Sequence, residues 1–181
     1  MMNSEKRVFA ILGGIFLMVA GFFSFLPAVA SFISGLRHSF PLRPFLLLSI
    51  AILLLLGGLF LLLRKPRVTA IMMCAVTVSY VVYYAAFSRA LFAPAVLCLL
   101  LSCALFAAGL FGRGVYGLIM CLAAAFFRLI PYGNSLKSLP QLLSNGGLSS
   151  FGAVSTQFAS LLTIAGMVMA GLYLFSLRKK A

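Results

Sequence analysis

Six long apolar runs, separated by short polar or basic segments, dominate this chain of 181 residues. The runs comprise residues 8–26, 45–63, 68–87, 94–111, 115–130 and 158–177. A helix needs roughly 20 apolar residues to cross about 30 Å of hydrocarbon, and every run except 115–130 comes close to that length. The chain is also 64% hydrophobic and 8% charged, which leaves too little polar surface for a soluble fold. We therefore predict an all-α fold, a polytopic transmembrane helical bundle of about six spans in one integral membrane domain, 1–181.

The charge balance is strongly basic, with 14 Lys and Arg residues against a single acidic residue, Glu5. In a soluble protein this excess would suggest nucleic-acid binding, which requires a basic stripe on a folded surface. Here the basic residues sit singly or in small clusters at the ends of apolar runs. They are typical of membrane anchors, so the expected partners are the lipid bilayer and its anionic head groups, and no nucleic acid.

The positions of the basic residues predict the orientation of the bundle. With six spans, one side holds Lys6, Arg7, Arg64, Lys65, Arg67, Arg113, Arg178, Lys179 and Lys180. The other side holds Arg37, Arg43, Arg89, Arg128 and Lys137. Because the excess of Lys and Arg in short loops is normally cytoplasmic, both termini are expected in the cytoplasm. The short, compact loops favour a bacterial cytoplasmic (inner) membrane.

The N-terminus allows a second interpretation. A basic start, an apolar run and the sequence Ala28-Val29-Ala30 resemble a cleavable signal peptide, and cleavage there would leave five spans. The run 8–26 is longer than the 7 to 15 residues typical of a signal-peptide apolar region. An uncleaved first span is therefore favoured, and the orientation of the other spans is the same in both cases.

The predicted spans lack the residues that most chemistry within a membrane requires. No carboxylate lies in any predicted span, and the single histidine, His38, falls in a predicted outer loop. Proton relays, serine proteolysis and zinc or di-iron chemistry are therefore disfavoured. The cysteines show no CxxC spacing and behave as small apolar residues; they are Cys74, Cys98, Cys103 and Cys121. We expect no enzymatic activity, no cofactor and no metal.

A polar stripe on the third span is the first candidate for a ligand site. Thr77, Tyr80 and Tyr84 follow at i, i+3 and i+7, so they share one helical face that leads out to Ser88 and Arg89. Such a stripe can line a ligand site. The alternative is an interfacial aromatic belt with hydroxyl packing.

The second candidate is the set of outer cations, which has no acidic counterpart. The set comprises Arg37, His38, Arg43, Arg89, Arg128 and Lys137. Isolated cations at this depth commonly pair with lipid phosphate. The alternative is recognition of an anionic small solute, for which Arg supplies bidentate donors.

The polar segment 131–157 is predicted to be an outer loop that caps the site. Leucines at three-to-four spacing predict a short amphipathic helix over 136–143, followed by a hinge at Asn145-Gly146-Gly147. Arg128 and Lys137 would flank this lid and supply a positive field. Tyr132, Asn134 and Gln141 would add hydrogen-bond donors.

These features favour a small multi-pass membrane protein of non-enzymatic type, such as a solute-binding transport component. The alternatives are a structural or accessory subunit of a membrane complex and, less favoured because acids are missing, a lipid head-group enzyme. In size and topology the chain resembles the substrate-binding subunits of energy-coupling-factor vitamin transporters. Their small-residue packing motif in the first helix has only a loose counterpart in Ala10 and Gly14. That resemblance implies a membrane-protein partner, and an ATPase among the partners would favour an importer complex.

Overall fold

The computed structural model describes residues 2–35, 42–88, 91–112, 114–136 and 148–177, and these residues contain helices but no β-strand. The helices are α1 (Met2–Gly35), α2 (Leu42–Leu62), α3 (Pro66–Tyr83), α4 (Pro94–Phe111), α5 (Val115–Leu136) and α6 (Leu148–Ser176). A π-helical turn, Tyr84–Ser88, continues α3. All six helices contain a segment long and apolar enough to cross a membrane. The predicted all-helical fold with six candidate spans is thus confirmed, and it suggests an integral membrane protein.

The segment 131–157, predicted to be a loop, differs from that expectation where it is described. Helix α5 continues through Pro131 to Leu136, and α6 already begins at Leu148. Hydropathy reports where a chain leaves the apolar layer, whereas a helix can continue beyond that depth with polar residues. Residues 137–147 lie outside the described residues, and with them most of the predicted amphipathic helix and its hinge.

The helices form a closed ring in chain order. Each helix packs against the one before and the one after it, and α1 closes the ring by packing against α6. Helix α4 also touches α6 across the interior. Short turns join α2 to α3 and α4 to α5, and the contacts of Gly14 with Leu62 and of Gly21 with Leu55 show that α1 and α2 also run in opposite directions. The end of the bundle with these turns is the Arg64 end, and the opposite one is the Arg128 end.

Glycines let the backbones of α1 and α2 approach closely. A Cβ atom added at Gly14 would lie 2.7 Å from the backbone nitrogen of Leu62 and 2.8 Å from the carbonyl oxygen of Gly58. One added at Gly58 would lie 2.6 Å from the backbone nitrogen of Met18. In an apolar solvent helices associate through dispersion contacts, which small residues at the interface strengthen.

Large apolar side chains also cover the outside of the bundle. Exposed members include Ile15, Phe22, Ile52, Ile71, Val78, Ile119, Phe126 and Leu161. A soluble monomer rarely exposes so much contiguous apolar surface. The buried core contains many small residues, such as Ala10, Ala51, Ala70 and Ala124, together with large ones such as Phe106. Large apolar side chains on the outside and small residues at the helix contacts are typical of a bundle whose solvent is lipid.

The turn between α2 and α3 has a specific backbone geometry. Arg64 has a φ of 60°, and it is the one non-glycine residue with positive φ in the described chain. Its backbone N–H donates to the carbonyl oxygen of Leu61, and that of Lys65 donates to Phe60. This is the hydrogen-bond pattern of a Schellman motif, in which glycine usually occupies the left-handed position. Pro66 then starts α3, where its missing N–H costs nothing.

Candidate functional site

A cavity of about 360 Å³ lies at the Arg128 end, among residues from α2 to α6. We call it the Arg128 cavity. Its wall consists of Leu47, Tyr80, Tyr83, Tyr84, Ala95, Val96, Leu99, Arg128, Pro131, Tyr132, Thr156, Gln157 and Ser160. Its volume is at the small end of the range of about 300–1,000 Å³ for ligand pockets. The apolar floor with convergent polar groups is also typical of such pockets.

Arg128 supplies the positive charge of the cavity. It lies within the apolar part of α5, in the candidate span Val115–Gly133, and is only partly exposed. Its guanidinium lies near enough to the Tyr80 hydroxyl to act on it electrostatically, and its charge also reaches Tyr84 and Cys103. A guanidinium at such a position in a membrane is costly and is normally retained for function.

Three tyrosines from the end of α3 and the π-helical turn form one wall. The rings of Tyr80 and Tyr84 stack with centroids 6.2 Å apart, and those of Tyr83 and Tyr84 meet edge to face at 5.2 Å. The backbone N–H of Tyr84 donates to the carbonyl oxygens of both Tyr80 and Val81, at the point where α3 passes into the π-helical turn. Short π-helical segments often occur at functional sites, because they rotate the side chains that follow.

The opposite wall is polar and comes from α5 and α6. Tyr132 follows Arg128 by one turn, and Thr156, Gln157 and Ser160 lie on one face near the start of α6. The Thr156 hydroxyl donates to the carbonyl oxygen of Gly152. The cavity therefore offers one guanidinium, several hydroxyls and an amide, and its wall contains no carboxylate.

The structure brings together three of the seven predicted ligand-binding residues, namely Tyr80, Tyr84 and Arg128. Arg43 lies nearby: its Nε donates to the Tyr83 hydroxyl at 3.2 Å, and its guanidinium carbon is 5.8 Å from the centre of the Tyr83 ring. Arg43 is not part of the cavity wall, although Tyr83 is. It thus contacts the site only through this tyrosine.

Thr77 lies on the predicted stripe but is not in the cavity wall. Its hydroxyl donates to the carbonyl oxygen of Met73 at 2.8 Å, a bond within α3. Thr77 lies two turns before Tyr84 and so deeper in the bundle, which separates it from a cavity at the helix end. Arg89 and Lys137, the other two predicted residues, lie outside the described residues, as do Arg37, His38 and Gln141.

Sequence reasoning missed the contribution of α6 to the site. The predicted loop 131–157 includes Thr156 and Gln157. Ser160 falls in the predicted apolar span 158–177, where it does not stand out as a site residue. Their spacing of i, i+1 and i+4 places all three on one helical face, which was the available signal. This spacing is informative only when the helix is known to begin before residue 156, and hydropathy does not show that.

Comparisons of this chain with protein family models, with curated proteins and with solved structures give no match. The interpretation of the Arg128 cavity therefore depends on its own residues. The resemblance in size and topology to the substrate-binding subunits of vitamin transporters stays a prediction. What the geometry defines is a membrane-type helical bundle with a cationic, tyrosine-rich cavity near one end.

Proposed function

We propose that this chain is a non-enzymatic, multi-pass membrane protein that binds a small organic anion in the Arg128 cavity, as the solute-binding component of a transport system. The observation that carries the proposal is the Arg128 guanidinium, set among tyrosine hydroxyls in a cavity whose wall contains no carboxylate. The charge of Arg128 is not neutralised by this wall. An anionic ligand would supply the missing charge.

The chemistry of the wall also favours a class of anion. A guanidinium binds a carboxylate or phosphate through two parallel hydrogen bonds, which fixes the orientation of the anion as well as its charge. The Tyr80 and Tyr84 rings offer flat apolar surface beside it, and Thr156, Gln157 and Ser160 offer hydrogen bonds across the cavity. A small carboxylate or phosphate compound with a planar or hydroxylated body fits this combination.

We further propose that the protein resides in a bacterial cytoplasmic membrane with both termini in the cytoplasm. The support is the excess of Lys and Arg predicted on the side of the Arg64 end. In this orientation the Arg128 cavity opens toward the outer face. A solute arriving from outside would then meet the site first, as a binding component of an importer requires.

The proposal is tested by purifying the protein in a mild detergent and identifying bound small molecules by mass spectrometry. We expect an anionic compound to co-purify with the wild type. Arg128→Gln should lose the compound, and Arg128→Lys, which keeps the charge but not the bidentate geometry, should retain part of it. Arg7→Gln is the control, because Arg7 is an exposed arginine on α1, a helix that contributes no residue to the cavity wall.

The outcomes separate the competing functions. Equal retention of the compound by Arg128→Gln and the wild type would overturn the assignment of the site. Retention of a phospholipid in place of a solute would move the site to the class that handles lipid head groups. A chain that carries no small molecule but purifies with a stable protein partner would favour the accessory subunit. The thermal unfolding of ligand-free Arg128→Gln shows whether the variant is folded.

A further inference from the structure

A second cavity, of about 560 Å³, lies at the opposite end of the bundle, between the α2–α3 turn and the C-terminal ends of α4 and α6. We call it the Arg64 cavity. One part of its wall consists of three cations on the α2–α3 turn, namely Arg64, Lys65 and Arg67. The apolar part consists of Pro66, Val68, Leu110, Phe111, Leu174 and Leu177. The cavity thus combines concentrated positive charge with a mainly apolar wall.

The wall of the Arg64 cavity contains cations and no acidic side chain. Three cations line it, Arg64, Lys65 and Arg67. Arg64, Lys65 and Arg67 are exposed, so their charges can reach an external ligand. The N-terminus of α3 lies at the same turn without a side-chain cap, and its dipole adds further positive potential.

The backbone at Arg64 indicates that its side chain matters. At a φ of 60° a glycine would be free of the steric conflict that a Cβ atom creates, yet this position carries an arginine. Residues held in sparsely populated backbone conformations tend to cluster at functional sites. Here the strained residue lies in the wall of a cavity.

Tyr173 adds a hydroxyl to the wall of the Arg64 cavity. Its side chain lines the Arg64 cavity and only 5% of its surface is exposed. Arg64 is near enough to act on the Tyr173 hydroxyl electrostatically. A tyrosine hydroxyl at a cavity wall can donate a hydrogen bond to an oxyanion.

We propose that the Arg64 cavity binds the phosphate group of one anionic phospholipid, with the acyl chain against the apolar wall. Arg64 and Arg67 supply charge-assisted hydrogen bonds to the phosphate, Lys65 adds charge, and the Tyr173 hydroxyl donates a further hydrogen bond. The apolar residues at the ends of α4 and α6 distinguish this site from one for free phosphate, because they offer no partner to a fully hydrated anion. This inference is independent of the function proposed for the Arg128 cavity.

Native mass spectrometry of the detergent-solubilised protein tests the proposal, with phosphatidylglycerol and phosphatidylcholine of identical acyl chains as probes. We expect one phosphatidylglycerol to be retained in preference to phosphatidylcholine. Arg64→Gly, Arg67→Gln and Tyr173→Phe should each weaken this binding about 10-fold, as expected for loss of one hydrogen bond to a charged group. Arg7→Gln is the matched control, because Arg7 is an exposed cation that is predicted for the same end but lies outside the cavity wall.

Two further measurements separate a lipid from a soluble phosphate. Leu177→Gln should weaken lipid binding, and inorganic phosphate at millimolar concentration should not displace the lipid. If phosphate competes fully and Leu177→Gln has no effect, the ligand is a soluble phosphate compound and the lipid assignment is wrong. Equal weakening by Arg7→Gln, or equal retention of the two lipids, would show general surface attraction and overturn the site. Arg64→Gly and Tyr173→Phe are both compatible with the local backbone and packing, so a loss of binding reports on the side chains.

Discussion

Ser102 on α4 donates a hydrogen bond from its hydroxyl to the carbonyl oxygen of Ala124 on α5, at 2.7 Å. Both residues are fully buried, and the sulfur of Met167 on α6 lies 3.8 Å from the same hydroxyl. Three helices therefore meet at one polar atom inside the bundle. Between helices surrounded by apolar groups, such a bond gives the hydroxyl a partner that it would otherwise lack. It also fixes the relative position of the helices.

Ser102→Ala should lower the free energy of unfolding by about 0.5–1.5 kcal/mol, the usual range for an interhelical hydrogen bond in a membrane protein. The measurement is equilibrium unfolding in mixed micelles. Ser49→Ala is the control, because the Ser49 hydroxyl donates within its own helix, to the carbonyl oxygen of Leu46. A loss of stability no larger for Ser102→Ala than for Ser49→Ala would show that the interhelical bond contributes nothing measurable.

Gly14→Ala should destabilise the contact between α1 and α2 by about 1–3 kcal/mol, as overpacking of a close interface does. The added methyl group would lie 2.7 Å from the backbone nitrogen of Leu62, and a backbone atom cannot move aside as a flexible side chain can. Gly133→Ala is the control, because a Cβ atom there would meet nothing within 4 Å. Since alanine also has the higher helix propensity, Gly133→Ala should be neutral or stabilising. Similar losses in the two variants would contradict the close packing at Gly14.

The sequence predicts the six helices but not the residues at which they begin and end. Apolar length alone indicates a span, which is why the run 115–130 could be assigned to a helix even though it is short. The same signal ends at Pro131, whereas α5 continues to Leu136, because hydropathy cannot distinguish a helix that leaves the apolar layer from a loop. Helix bounds outside that layer depend on backbone hydrogen bonding, which hydropathy does not report.

The candidate site was predictable in its residue types and only partly in its assembly. Arg128 and the pair Tyr80 and Tyr84 were each distinguishable as polar residues in or near apolar helices. Their meeting in one cavity depends on the ring of helices, in which α3 and α5 both pack against α4. No periodicity along one helix contains that information. Thr77 shows the converse, since it shares the stripe with Tyr80 and yet lies outside the cavity wall.

Two replacements of Arg64 should distinguish the effect of its backbone conformation on stability from the effect of its charge. Arg64→Gly should be more stable than Arg64→Ala by about 1 kcal/mol, because glycine adopts a φ of 60° without the steric cost that alanine incurs. Both variants lack the guanidinium, so their difference in unfolding free energy, measured in a detergent without anionic lipid, reports the backbone alone. Equal stabilities would mean that the turn does not hold this residue in the left-handed conformation.

Cysteine labelling tests the proposed orientation of the bundle. With the four native cysteines replaced by alanine, single cysteines are introduced at Lys65, in the turn at the Arg64 end, and at Gly133, near the Arg128 cavity. Both native residues are exposed, and a side chain at Gly133 meets no neighbouring atom. If the Lys and Arg excess determines orientation, an impermeant thiol reagent added to intact cells should label the cysteine at 133 and spare the one at 65. Permeabilised cells serve as the control, in which both should react.

Labelling of position 65 in intact cells with position 133 protected would reverse the orientation. The Arg128 cavity would then face the cytoplasm, and a role in binding external solutes would be wrong.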